Sequence, residues 1–175
     1  MRKEYSAALR ILFKQELTKL PLPWKPFSEA VGCSYPGERL FYADPPEVPA
    51  RVWCSVVPHP RFDRFFVEIG WSKDHRFPDI QSRPSHFHPA TASRKVTDCM
   101  IRLSDLVPSN SGDWIVEPFR MPTTVEEAKA NLLEDMRPRS KQEAAERVTP
   151  VVLQAINDLQ QFGYPFLLSA APGEA

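Results

Sequence analysis

Residues 51 to 78 read RVWCSVVPHPRFDRFFVEIGWSKDHRFP, and their pattern decides the fold. Two runs dense in β-branched and aromatic residues, Arg51 to Val57 and Arg64 to Trp71, are joined by the turn-prone Pro58-His59-Pro60-Arg61-Phe62-Asp63. The pair predicts a β-hairpin. Successive side chains alternate across a strand, so Phe65, Val67, Ile69 and Trp71 share one face while Phe66, Glu68 and Gly70 share the other. The first face is wholly apolar and needs a cover.

Both flanks supply helices that can provide it. From about Lys3 to Leu20, the residues Tyr5, Leu9, Leu12, Phe13, Leu17 and Leu20 fall at helical spacing, with Arg10, Lys14 and Lys19 largely off that stripe. Pro21 and Pro23 stop the helix, and Trp24 and Phe27 read as anchors for the turn that follows. On the C-terminal side, Thr123 or Thr124 makes an N-cap for a helix with Glu126 and Glu127 in its first turn, running to about Met136. Ser140 with Glu143 is a capping box opening the next helix, in which Thr149-Pro150 predicts a kink or a restart. Val151, Val152, Ala155, Ile156, Leu159 and Phe162 form its stripe, Gly163 suits a C-cap, and Tyr164 to Leu168 reads as an apolar tail that frays from residue 168 onward.

Between these helices lie further short strands. Glu38 to Ala43 follows the turn at Pro36-Gly37, and Trp114 to Val116 follows a polar turn. Lys95 to Leu106 gives a mixed strand and helix signal. Ser72 to Arg94 is a long, polar, proline-rich passage holding three of the four histidines. Unstructured loops of that length are uncommon in compact domains and tend to be functional. The expected fold is α+β: one domain over residues 1 to 175, with an antiparallel sheet of four to six strands and an N-terminal helix and C-terminal helices packed on one face.

Composition sets bounds on function. A chain of 175 residues with 42% hydrophobic and 25% charged residues holds a real core and excludes wholesale disorder. Nineteen prolines are about twice the usual share of roughly 5%, and most stiffen the connections between periodic segments. Zero net charge argues against nucleic acid or anionic lipid as partner. The charge is uneven, however: acids outnumber bases from Leu103 onward and the N-terminal part is correspondingly basic, which reads first as solvated helix faces and scattered sheet charges, and as the sharper alternative as one acidic and one basic face. Cys33, Cys54 and Cys99, without a CxxC, suit reduced, buried thiols in a cytosolic protein. No signal peptide is read, and no run approaches the roughly 20 apolar residues of a membrane span, so the cytoplasm is the expected location.

Motifs for chemistry are sparse. His86-Phe87-His88 places two histidines at i and i+2, on one side of an extended segment, where His75 and Asp79 could join them as ligands. That is the basis for a metal-dependent hydrolase or nuclease as an alternative reading. There is no GxSxG and no phosphate-binding glycine motif, and Cys54 and Cys99 lie in strand-like apolar runs. No cofactor is expected.

The chain resembles a group of small bacterial proteins classed as domains of unknown function. The resemblance rests on Phe13-Lys14-Gln15-Glu16-Leu17, Arg39-Leu40-Phe41-Tyr42, Phe66-Val67-Glu68-Ile69-Gly70-Trp71 and Gly163-Tyr164-Pro165. Some such families resemble immunity or defence-associated proteins, which implies a binding role. The leading expectation is a non-enzymatic protein-binding module using the 72 to 94 loop and the outer sheet face, with Trp53, Phe66, Glu68, Trp71, Lys73, Arg76 and Phe77 as the binding residues. Apolar content on both strand faces motivates it, because one covering layer leaves the second face free. A homodimer joined through that same sheet is the third expectation.

Overall fold

A computed structural model of the chain describes residues 1–27, 35–79, 83–90, 92, 96–108 and 112–170. Its centre is an antiparallel meander: β1 (Lys25–Phe27), β2 (Arg39–Ala43), β3 (Arg51–Pro58), β4 (Arg64–Ser72) and β5 (Asp98–Arg102) lie side by side in chain order. β6 (Trp114–Ile115) pairs with the start of β4, at Arg64 and Phe65, on the edge that β5 occupies further along. The hairpin is as the sequence pattern has it, with Val52 opposite Trp71 and Val56 opposite Val67. The mixed signal after Lys95 divides in two: β5, then a 3-10 turn over Leu103–Leu106. β1 is a strand where the sequence suggested only a turn anchor; three residues containing Pro26 are too short to show a period.

Helix α1 (Lys3–Leu17) buries Tyr5, Leu9, Phe13 and Leu17, one residue per turn on a single stripe. Helix α3 (Lys141–Asp158) packs beside it and buries Ala144, Val148, Val152, Ala155 and Ile156. The expected restart at Pro150 does not occur: the proline is exposed and the helix runs through it. A π turn (Leu159–Gly163) carries the chain into α4 (Tyr164–Leu168), so the expected tail is helical and Ala170 is still buried. Gly163 lies inside that turn rather than capping a helix end, and a Cβ there would crowd the Leu159 side chain at 2.7 Å and the Leu103 side chain at 3.1 Å. Together these elements enclose the main core against Val52, Cys54, Phe65, Val67, Ile69, Trp71, Cys99 and Ile101. Two indole N–H groups reach through it to acceptors, Trp24 to Tyr164 Oη at 2.8 Å and Trp114 to Asp158 at 3.2 Å.

Two expectations are corrected. The C-terminal helices do not all pack on the sheet, because α2 (Val125–Met136) buries none of its described side chains. The outer face of the sheet is not open either. Leu40, Trp53, Phe77 and Met100 form a second buried cluster there, with Phe27 and Tyr42 packed against it. The loop after β4, expected to be a free binding element, is itself the cover. Cys33, Arg94, Lys95 and residues 171–175 of the expected frayed tail lie outside the described residues.

Candidate functional site

Trp53 and Gly70 are cross-strand partners on the outer face. A Cβ on Gly70 would meet the Cys99 carbonyl oxygen at 1.8 Å and the Trp53 ring at 2.7 Å, so glycine is what lets the Cys99 backbone and the indole come this close. Phe77, brought back by the turn after β4, packs against that indole at a tilt, with ring centroids 4.9 Å apart and the ring planes at 55°. Phe66 is covered differently, by the Tyr35 ring edge at 5.8 Å and by the Arg102 guanidinium at 4.5 Å from its centroid.

Between these aromatic groups sits a buried charged cluster. Glu38 precedes β2 and Glu68 lies in β4, and both are 2% exposed. Arg83 bridges them, donating from one guanidinium nitrogen to Glu68 and from the other to Glu38, while Ser55 Oγ donates to Glu38. The Arg83 guanidinium also stands 5.0 Å from the Tyr35 ring centroid. Burial pushes the Glu68 carboxyl above its ordinary range, the Arg83 charge opposes that, and the Glu38 charge adds to it. One arginine from the loop thus holds two carboxylates on the sheet. Sequence reading placed Glu68 on an outer, binding face of the sheet and missed Arg83, which belongs to no repeat; a carboxylate buried on a sheet demands a cation.

The residues nominated from sequence therefore separate. Trp53, Trp71 and Phe77 are fully buried, Phe66 and Glu68 nearly so, and Trp71 belongs to the opposite face, under the helices. Lys73 is half-buried and Arg76 exposed. The potential metal ligands are engaged with different partners. His75 takes φ 58°, a left-handed turn conformation, and its Nδ1 stands 3.3 Å from Asp44. Asp79 pairs with Arg51 at 2.5 Å, His86 is 3.9 Å from Asp105, and His88 Nδ1 accepts from the Ala90 N–H. Among the described residues, no three His, Cys, Asp or Glu side chains converge to hold a metal. Burial pushes the Cys99 thiol up to about 12 and the Cys54 thiol higher still, which leaves both as inert packing at neutral pH.

What the fold does expose is apolar and lies elsewhere. From Ile115 to Met136 the chain leaves Ile115, Phe119, Met121, Val125, Leu132, Leu133 and Met136 each more than half exposed. In α2, Val125, Leu132 and Met136 recur at i, i+7 and i+11 along one stripe. Polar groups hold this arm at both ends. Thr124 Oγ1 accepts from the Glu127 N–H, and Glu127 accepts in return from Thr123 N–H and Oγ1 at 2.7 Å each. At the foot, Arg137 bridges Glu134 and Glu143, and Arg139 joins Glu134 at 2.5 Å. Hydrogen bonds from Arg137, and then Arg139, draw the Glu134 carboxyl down to about 2. Glu117 completes the clasp by receiving Arg2 and Arg147.

A groove of about 550 Å³ runs along the outer side of α1. Ile11, 60% exposed, lines it together with Arg10, Lys14 and Arg39. Arg10 and Arg39 donate to the Ser6 and Glu38 carbonyl oxygens, and none of the three cations has an ion pair among the described residues. Among the described residues, no helix is long and apolar enough to cross a membrane. Comparison of the chain with protein-family models, with curated proteins and with solved structures gives no match.

Proposed function

We propose that this protein is a non-enzymatic binding module that engages another protein through the arm from Ile115 to Met136. The observation that carries this is the run of seven large apolar side chains left exposed on an otherwise well-packed chain, four of them on one capped helix. Scattered apolar residues are normal on a surface, but Val125, Leu132 and Met136 along one stripe of a helix are what a helix presents to a groove. The sheet-and-loop surface contributes through Arg76 and Lys73, which retain access at the rim of the loop. The resemblance to small bacterial proteins adds the finer expectation of a cytoplasmic immunity or defence-type partner.

Native mass spectrometry of gently purified protein tests the reading. The wild-type chain is expected to carry a retained protein partner that Leu132→Asp with Met136→Asp loses, circular dichroism of the two being equal. A retained partner that survives both substitutions would refute the arm as its binding element. A stoichiometric metal adduct lost in His88→Ala would instead favour the hydrolase alternative.

A further inference from the structure

The arm from Ile115 to Met136 is rooted in the turn between β3 and β4. The Asp63 carbonyl oxygen accepts from the Val116 N–H at 2.8 Å and from the Glu117 N–H at 3.1 Å. The Phe62 and Phe119 rings meet edge to face, with centroids 6.0 Å apart. One side chain shapes that turn. His59 Nδ1 accepts from both the Arg61 and the Phe62 N–H, at 3.1 Å each, and its ring lies 4.9 Å from the Phe62 ring. A neutral imidazole that accepts at Nδ1 carries its one proton on Nε2, so a second proton can enter only at Nδ1 and turns that acceptor into a donor. Both backbone bonds are then lost at once.

We propose that His59 is a pH-sensitive switch at the root of the arm: neutral, it holds the turn on which the arm is seated, and protonated, it lets that seat open. The charges around the ring favour the neutral form. Arg61 stands within the turn, Arg64 comes from β4, and the Met1 ammonium ahead of α1 donates to the His59 carbonyl oxygen. Asp113, ahead of β6, opposes them but is paired with Arg64 at 2.9 Å. Asp63 and Glu117 also face the turn, and both are paired with Arg2. Burial first, and then the Arg64 charge, hold the His59 imidazole below its ordinary value of 6.5. As pH falls below that value, an opened turn takes up a proton that the closed turn does not hold. The closed seat is therefore favoured fully above it and progressively less below it. This inference rests on the arm being the binding element and names what regulates its presentation.

Amide exchange of Val116 and Glu117, followed by NMR and corrected for the intrinsic rate at each pH, reads the seat directly. The expected result is a several-fold loss of protection between about pH 7.5 and about pH 5.5, with the β3 amides of Cys54 and Val56 unchanged. His59→Asn keeps a side-chain acceptor for the same N–H groups, as an Asx turn does, but cannot titrate. It should hold wild-type protection at both pH values, and His59→Ala should show the low protection at both. Wild-type protection indifferent to pH, or a pH response that survives in His59→Asn, would overturn the proposal; the second result would assign the response to another group such as the Met1 ammonium. Unchanged β3 protection separates release of the seat from unfolding in every variant. Because the readout needs no partner, its failure is distinct from failure of the arm's binding role, which the retained partner in the mass spectrum tests.

Discussion

On one face of the sheet, α1 and α3 set stripe against strand and bury a nearly unbroken apolar core. On the other, the loop after β4 covers Trp53 and two carboxylates, and does so at separate points: Phe77 on the indole and Arg83 between Glu38 and Glu68. The difference follows from what each cover can present. A helix repeats its side chains on one side every three or four residues, so it can offer a continuous apolar surface and leave its polar groups to its own backbone ladder. A loop cannot repeat, and its backbone must find partners one by one. It therefore pins a few large groups, and a fixed ion pair gives direction where burial alone gives none. The helical face is held by area; the loop face is held by placement.

The largest expected effect tests placement. Arg83→Met leaves Glu38 and Glu68 buried beside each other without their cation, and should cost about 3–5 kcal/mol in urea unfolding, as removal of one partner from a buried pair does. Adding Glu38→Gln and Glu68→Gln to it should recover most of that loss. A cost for Arg83→Met below about 1 kcal/mol would mean that the cluster behaves as a surface pair and that the two faces are more alike than their geometry suggests.

Next in size, Phe77→Ala on the loop face and Phe13→Ala on the helical face should each cost about 3 kcal/mol or more, because both rings are fully buried. If Phe77→Ala proved nearly neutral while Phe13→Ala did not, the loop would be draped over the sheet rather than packed on it.

The smallest effect is in pH dependence. Glu68 has its native carboxyl raised above the ordinary value of 4.5, so in the window upward from that value the folded state holds a proton that the unfolded state has released. Stability from this group is then full below the window and is lost as pH rises through the raised value. Glu68→Gln should flatten the stability curve across that window, measured as the difference between variant and wild-type unfolding free energies. Parallel curves would show that Arg83 keeps Glu68 ionised throughout.

How much of this could be read from sequence depended on period. The hairpin, the α1 stripe and both N-caps were legible because alternation and helical spacing leave a signature in the residue types themselves, as at Phe65, Val67, Ile69 and Trp71. The second cover was not, because Phe77 and Arg83 belong to no repeat, and only their meeting with Trp53, Glu38 and Glu68 in the folded chain gives them meaning. That is also why five residues nominated for a surface proved to be buried: aromatic content signals burial or binding equally until the covering layer is known. Helix α2 failed in the opposite direction. Its cap at Thr124 resembles the one at Ser140 of α3, with the same acceptor geometry to the third residue of the helix. Capping says where a helix starts and nothing about whether it docks.

Helix α2 has 12 residues, at the lower edge of the roughly 12–15 at which an isolated helix holds together in water. With none of its described side chains buried, the arm takes its support from its caps and ion pairs rather than from packing, and whatever it binds bears any remaining cost of ordering it. Its affinity is then set partly by residues that touch nothing. A worse helix former at exposed Ala130, opposite the apolar stripe, changes how often the arm is ready, and so tunes recognition without altering the surface that is recognised.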